Sequence, residues 1–123
     1  MKGIGIDLCQ ISRIERAVEK TPGFLKKYYT AEESAYIESR GAAGMCSAAA
    51  MFAAKEAFLK ALGTGIGGGI TLQDVGVSHA DSGAPYYSLS EKAVEKLRQM
   101  GASQAFLSLS HEADMAAAVC VIE

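Results

Sequence analysis

Asp7 and Glu56 are the two carboxylates whose surroundings least resemble a solvated surface. Glu56 sits in the run Met51-Phe52-Ala53-Ala54-Lys55-Glu56-Ala57-Phe58-Leu59-Lys60-Ala61-Leu62-Gly63-Thr64-Gly65. At about 100° per residue, a helix through this run puts Glu56 between Phe52 and Leu59, with Lys60 beside it. Lys55 falls on the other flank, among Met51, Phe58 and Leu62. No polar arc is left for water, and a helix apolar nearly all round is a buried one. An unpaired buried charge costs several kcal/mol, so these charges require partners. The glycine-rich exit that follows suggests an anionic one.

Asp7 lies in Gly3-Ile4-Gly5-Ile6-Asp7-Leu8-Cys9, which alternates as a strand does. Ile4, Ile6 and Leu8 share one face; Gly3, Gly5, Asp7 and Cys9 share the other. The second face is nearly bare, so a helix, a backbone or a ligand can approach Asp7 closely. Mg²⁺ is commonly held by one or two carboxylates together with phosphate and water. A strand carboxylate and a buried-helix carboxylate could supply that pair. The competing account is two unrelated carboxylates, with Glu56 paired to Lys60 at i, i+4, worth only about 0.2–0.5 kcal/mol on a surface.

Other signals are weaker. Gly63-Thr64-Gly65-Ile66-Gly67 follows a helix rather than opening one, so it is neither a Walker loop nor a dinucleotide fingerprint. Its glycines still admit a ligand close to the backbone. His111 ends Leu107-Ser108-Leu109-Ser110-His111-Glu112, on the face of Leu107 and Leu109; a lone histidine there is more often structural. His79 lies in a polar turn and is given no role. Arg13, Arg16 and Lys20 recur at helical spacing opposite Ile11, Ile14 and Val18, and Lys26 and Lys27 follow. That pattern is either a solvated face or a docking surface for an acidic partner.

The elements that must carry these residues are legible in outline. Gly3 to Cys9 is a strand. Ser12-Arg13-Ile14-Glu15 reads as a capping box opening a helix to about Lys20, before Pro22. Thr30-Ala31-Glu32-Glu33 is a second box, opening a helix to about Ser39. The long helix runs from about Gly44 to Leu62 and stops at Gly63. Ile70 to Ser78 and Pro85 to Leu89 read as strands joined by an Asp81-Ser82-Gly83 turn. Ser90 caps a helix to about Met100, and Gln104 to Glu112 with Met115 to Ile122 form a closing antiparallel pair. The mixture predicts an α+β fold: a mostly antiparallel sheet against a long buried helix and shorter helices, with 1–123 as one domain.

The chain has 123 residues and a net charge of −2, and it lacks Trp. The global field and the few aromatics argue against nucleic-acid binding. Three cysteines, Cys9, Cys46 and Cys120, with no CxxC, argue against a disulfide framework or a zinc site and fit a reduced, cytoplasmic protein. Cys9 and Cys120, in strand-like stretches, read as core residues. No signal peptide is evident, and charges interrupt the apolar run from Gly44 to Leu62, so no membrane span is expected.

Three motifs resemble the holo-[acyl-carrier-protein] synthase family of small bacterial 4′-phosphopantetheinyl transferases. They are Gly3-Ile4-Gly5-Ile6-Asp7 leading to Ser12-Arg13-Ile14, the Phe52–Gly65 run, and Leu107–Glu112 with its alanine-rich continuation to Ile122. Tyr29-Thr30 with Glu33, and Gly83-Ala84-Pro85, match more weakly. The resemblance spans essentially the whole chain and implies transfer of the phosphopantetheine arm of coenzyme A to a serine of apo acyl carrier protein. The other product is adenosine 3′,5′-bisphosphate. It implies Mg²⁺ on Asp7 and Glu56, and catalytic roles for Glu56, Lys60 and Asp7. Lys55, Lys60, Gly63, Thr64, Gly65 and His111 match coenzyme A-binding positions. Arg13 matches a carrier-docking position, and Arg16 and Lys20 extend the same face. It also implies a place in fatty acid biosynthesis and a homotrimer with sites at subunit interfaces. Either Glu56 or a water on the metal would take the serine proton.

Two departures stand out. Met51 replaces a frequent arginine, and Gly67-Gly68-Gly69 replaces a frequent basic position. Both remove positive charge near the nucleotide phosphates. They support one rival reading, a non-catalytic relative that binds coenzyme A or a carrier protein without Mg²⁺-dependent turnover. A second rival is a phosphate-handling enzyme that works with no carrier protein present.

Overall fold

The computed structural model describes residues 1–64 and 68–123. Its centre is the long helix. Alanine-rich and without a β-branched residue, α4 spans Gly44–Leu62 and buries most of its length. Gly63 ends it in the left-handed conformation (φ 78°), its N–H donating to the carbonyls of Leu59 and Lys60. The helix crosses an antiparallel sheet of three strands in the order β1, β5, β4, where β1 is Gly3–Gln10, β4 Ala105–Glu112 and β5 Met115–Ile122. The register places Asp7 opposite Ala118 and Ala118 opposite Leu109.

Close approach explains the bare face of β1. A Cβ added to Gly5 would lie 2.1 Å from the Ala57 carbonyl oxygen, and one on Gly3 2.3 Å from that of Ala61. Backbone rests on backbone, and only glycine permits it. The opposite face points outward. Ile4, Ile6 and Leu8 are 58, 62 and 62% exposed, and Phe106 and Met115 beside them are also exposed.

Helix α1 covers Ile11–Lys20, α2 Phe24–Tyr28 and α3 Ala31–Ser39. A second antiparallel pair, β2 (Val75–His79) and β3 (Pro85–Leu89), and α5 (Glu91–Gln99) complete the α+β architecture. Tyrosines pin α4 from outside: the Tyr29 hydroxyl donates to the Ala48 carbonyl at 2.7 Å, and that of Tyr87 to Ala54 at 2.6 Å. Cys9 and Cys120 are buried core residues as expected, and all three cysteines are free. Among the described residues, no helix is long and apolar enough to cross a membrane.

Two local expectations are corrected. The Ser12–Glu15 capping box does not form: Gln10 is the N-cap, and Ser12 already lies inside the helix. Its N–H and hydroxyl both donate instead to Asp114, in the β4–β5 turn, so a carboxylate distant in sequence caps α1. The strand expected from Ile70 begins only at Val75. A 3-10 turn at Leu72–Asp74 precedes it, fixed by a Thr71–Asp74 capping box. Thr30 and Glu33 form the box expected of them.

Candidate functional site

Strand β1 and helix α4 bring Asp7, Glu56 and Lys60 together. Lys60 Nζ donates to Asp7 Oδ1 at 2.9 Å and to the Ile6 carbonyl at 3.0 Å. Asp7 is mostly covered, whereas Lys60 is half in solvent. Glu56 is half-buried. Burial first, then the negative charge of Asp7, hold its carboxyl above the usual range; Lys60 and Arg13 pull the other way. Two carboxylates whose charges oppose each other and one half-exposed ammonium form a cluster of mixed charge.

Arg13 reaches this cluster from α1. It lies against Cys9, and its guanidinium carbon is 6.0 Å from the centroid of Phe52 on α4. Phe52 meets Tyr28 edge-on, and Lys27 lies over the Tyr28 ring. Arg13, Arg16 and Lys20 are exposed while Ile14 beneath them is buried, so the basic face is free. It begins at the carboxylate cluster and continues onto α2 through Lys27.

Lys55 is elsewhere. It is fully buried, and its three donors go to Glu33 Oε1 at 2.7 Å, the Leu72 carbonyl at 2.9 Å and the Val75 carbonyl at 3.0 Å. Burial lowers its pKa, against the raising effect of Glu33. The ammonium is spent inside the fold, with no donor left for a ligand. The apolar surroundings of Lys55 on the helix predict that it needs a partner; that the partner is Glu33 is not legible there. Glu33 had already been accounted for as the N3 member of a cap.

His111 lies in a cleft of about 440 Å³ with Tyr36, Arg40, His79 and the Gly83 and Pro85 turn. Tyr36 and His79 stack with ring centroids 4.0 Å apart and planes within 4°. Arg40 lies 5.9 Å from the Tyr36 ring centroid. Burial, then Arg40, lower the pKa of His79, partly offset by Glu33. Sequence reasoning gave Tyr36, Arg40 and His79 no role. His111 and the Gly83-Ala84-Pro85 match are the sequence signals that lie near them.

Gly63 stands at the end of α4, its amide committed to helix carbonyls, and Thr64 follows it. Gly65, the remaining coenzyme A-binding expectation, lies outside the described residues, as does Gly67. Met51 is buried in the core, so that position faces the interior of the fold.

Among the described residues there is no group of three or more His, Cys, Asp or Glu that could hold a metal. Asp7 and Glu56 alone form a two-carboxylate set. That number suits Mg²⁺ bound jointly with a ligand's phosphates rather than in an all-protein cage.

The chain is similar throughout to proteins of known kind. The family model of the 4'-phosphopantetheinyl transferase superfamily matches residues 3–120. A holo-[acyl-carrier-protein] synthase of Treponema denticola is 40% identical over 121 residues, 98% of this chain and 97% of that one. The crystal structure of the Neisseria meningitidis holo-[acyl-carrier-protein] synthase superposes with a TM-score of 0.90 at 34% identity, covering 100% of this chain and 98% of that one. The Helicobacter pylori synthase, solved in complex with coenzyme A, gives 0.84 at 34% identity, covering 98% of this chain and 99% of that one.

Proposed function

The chain belongs to the 4′-phosphopantetheinyl transferase superfamily, and on that premise we infer that it is a holo-[acyl-carrier-protein] synthase. It transfers the 4′-phosphopantetheine of coenzyme A to a serine of apo acyl carrier protein and releases adenosine 3′,5′-bisphosphate. The observation that carries this reading is the Asp7–Glu56–Lys60 cluster, two carboxylates and a part-exposed ammonium brought to one point by β1 and α4.

Each residue has a distinct task. Lys60 keeps its ammonium half in solvent, within reach of a diphosphate, while its bond to the Ile6 carbonyl fixes its direction. Asp7 and Glu56 would hold Mg²⁺, which when bound neutralises charge accumulating on the leaving phosphate. The serine oxygen bonds to the phosphorus that carries the pantetheine arm, and the bond from that phosphorus to the bridging diphosphate oxygen breaks. The electron pair leaves with adenosine 3′,5′-bisphosphate. The serine proton goes either to Glu56 or to a water beside it. Arg13, Arg16 and Lys20 receive an acidic carrier protein on a face that starts at the cluster.

A homotrimer is part of the reading. The exposed row Ile4, Ile6, Leu8 is supported as a subunit contact, since an apolar sheet face in water is unfavourable. A site shared between subunits would also let the His111 cleft of one copy meet the carboxylate cluster of another. Lys55 is reassigned from coenzyme A binding to the interior. The whole of 1–123 acts as one domain, in the cytoplasm, supplying holo acyl carrier protein for fatty acid synthesis. Intact mass of apo acyl carrier protein incubated with the chain, coenzyme A and Mg²⁺ tests the function. One added phosphopantetheine, absent with EDTA, is expected; no addition to any of several carrier proteins by folded chain overturns it.

A further inference from the structure

Glu33 and Lys55 form a buried ionic hub that the transfer chemistry does not use. Lys55 Nζ bonds Glu33 Oε1 and the carbonyls of Leu72 and Val75. Glu33 Oε1 also accepts from the Thr30 N–H at 2.8 Å, and Oε2 from the Val77 N–H at 2.8 Å. Both side chains are at most 1% exposed. Their partners come from four places: the start of α3, the middle of α4, the 3-10 turn after the glycine segment, and β2.

Such a pair is a poor device for stability alone. Desolvating both ions offsets most of their attraction, and well-packed apolar side chains commonly do as well. What the pair supplies is direction. Three donors on one ammonium and three accepted bonds on one carboxylate fix the rotation of α4 about its axis and the height of β2 against α3. Glu56 is the next residue on α4, so that rotation aims it at Asp7. His79 ends β2 and stacks on Tyr36 of α3, so that height sets the His111 cleft. The hub lies between the two.

We propose that Glu33 and Lys55 are positioning residues that hold the Asp7–Glu56–Lys60 cluster and the Tyr36–His79 cleft in one fixed relation for transfer. This rests on the functional reading above for its kinetic test, but not for its structural one.

The experiment pairs the wild-type chain with Glu33→Gln/Lys55→Met, which removes both charges and leaves neither ion stranded, and with Glu33→Asp alone. The expected result is cooperative melting, KM for coenzyme A within about twofold, and kcat lowered at least tenfold in the double variant, as misaligned groups give. Unchanged kcat in the folded double variant overturns the proposal. So does a loss confined to KM. Should the double variant fail to fold, Glu33→Asp, which keeps both charges and shortens the reach to Lys55 and Val77, decides by the same kcat criterion. The His79 imidazole proton shifts, which report the Tyr36 ring above them, give an activity-free reading. The ring-current shift is expected to collapse in the variants, and its retention overturns the claim. Should the wild-type chain transfer nothing, the functional reading fails and this shift alone decides the positioning claim.

Discussion

Gly5→Ala tests the contact that places Asp7. The new Cβ would stand 2.1 Å from the Ala57 oxygen, 2.7 Å from the Ala61 nitrogen and 3.0 Å from Lys60 Cβ. The first two are helix backbone and cannot rotate away. Moving from 2.1 Å to the 3.4 Å of ordinary contact requires β1 and α4 to part by about 1.3 Å. Overpacking of this kind costs about 1–3 kcal/mol. For a domain of this size that is roughly 4–12 °C in Tm. The separation also stretches the 2.9 Å Lys60–Asp7 bond beyond hydrogen-bonding range. A displacement of about 1 Å between catalytic groups can cost about a hundredfold in rate. Thermal melting and steady-state transfer to carrier protein are the assays. We expect both losses together in the folded variant. A Gly5→Ala protein with wild-type Tm and kcat would refute the reasoning, because no backbone contact would then be placing Asp7.

Glu56→Gln should lower transfer about a thousandfold, the scale of metal-assisted charge stabilisation, while Tm stays level or rises. The folded state holds the Glu56 proton more tightly than the unfolded chain does, so ionisation at neutral pH opposes folding and Gln relieves it; calorimetry and kinetics read both. The same shift means that carboxyl NMR of the metal-free chain should show Glu56 titrating above the ordinary glutamate range, and lower in Asp7→Asn than in wild type. Arg13→Glu/Arg16→Glu should raise KM for carrier protein about tenfold at low salt, and less as salt screens the surface charges. Ile6→Asp, placing a charge in the exposed apolar row, should give monomers by analytical ultracentrifugation and lose transfer.

The sequence made α4 legible because its period, its missing polar arc and its glycine stop agree. Asp7 was legible through the bare strand face, and the backbone contact at Gly5 is the reason that face is bare. Other parts depended on residues far apart in the chain. Asp114 caps α1 across 102 positions, and no local pattern announces that. Glu33 looked complete as a cap, although its second oxygen and the remaining capacity of its first are taken by Val77 and Lys55. The Tyr36–His79 stack joins a helix to a strand that sequence reading began too early, at Ile70, because a capped 3-10 turn and an extended run share the same apolar residues.

The measurement that bears most directly on the central claim is a crystal structure of the chain with coenzyme A and Mn²⁺ in place of Mg²⁺, the metal located by its anomalous signal. The account predicts one strong peak ligated by Asp7 and Glu56, with the diphosphate bonded to Lys60. A metal held away from those two carboxylates, with the diphosphate out of reach of Lys60, would contradict it.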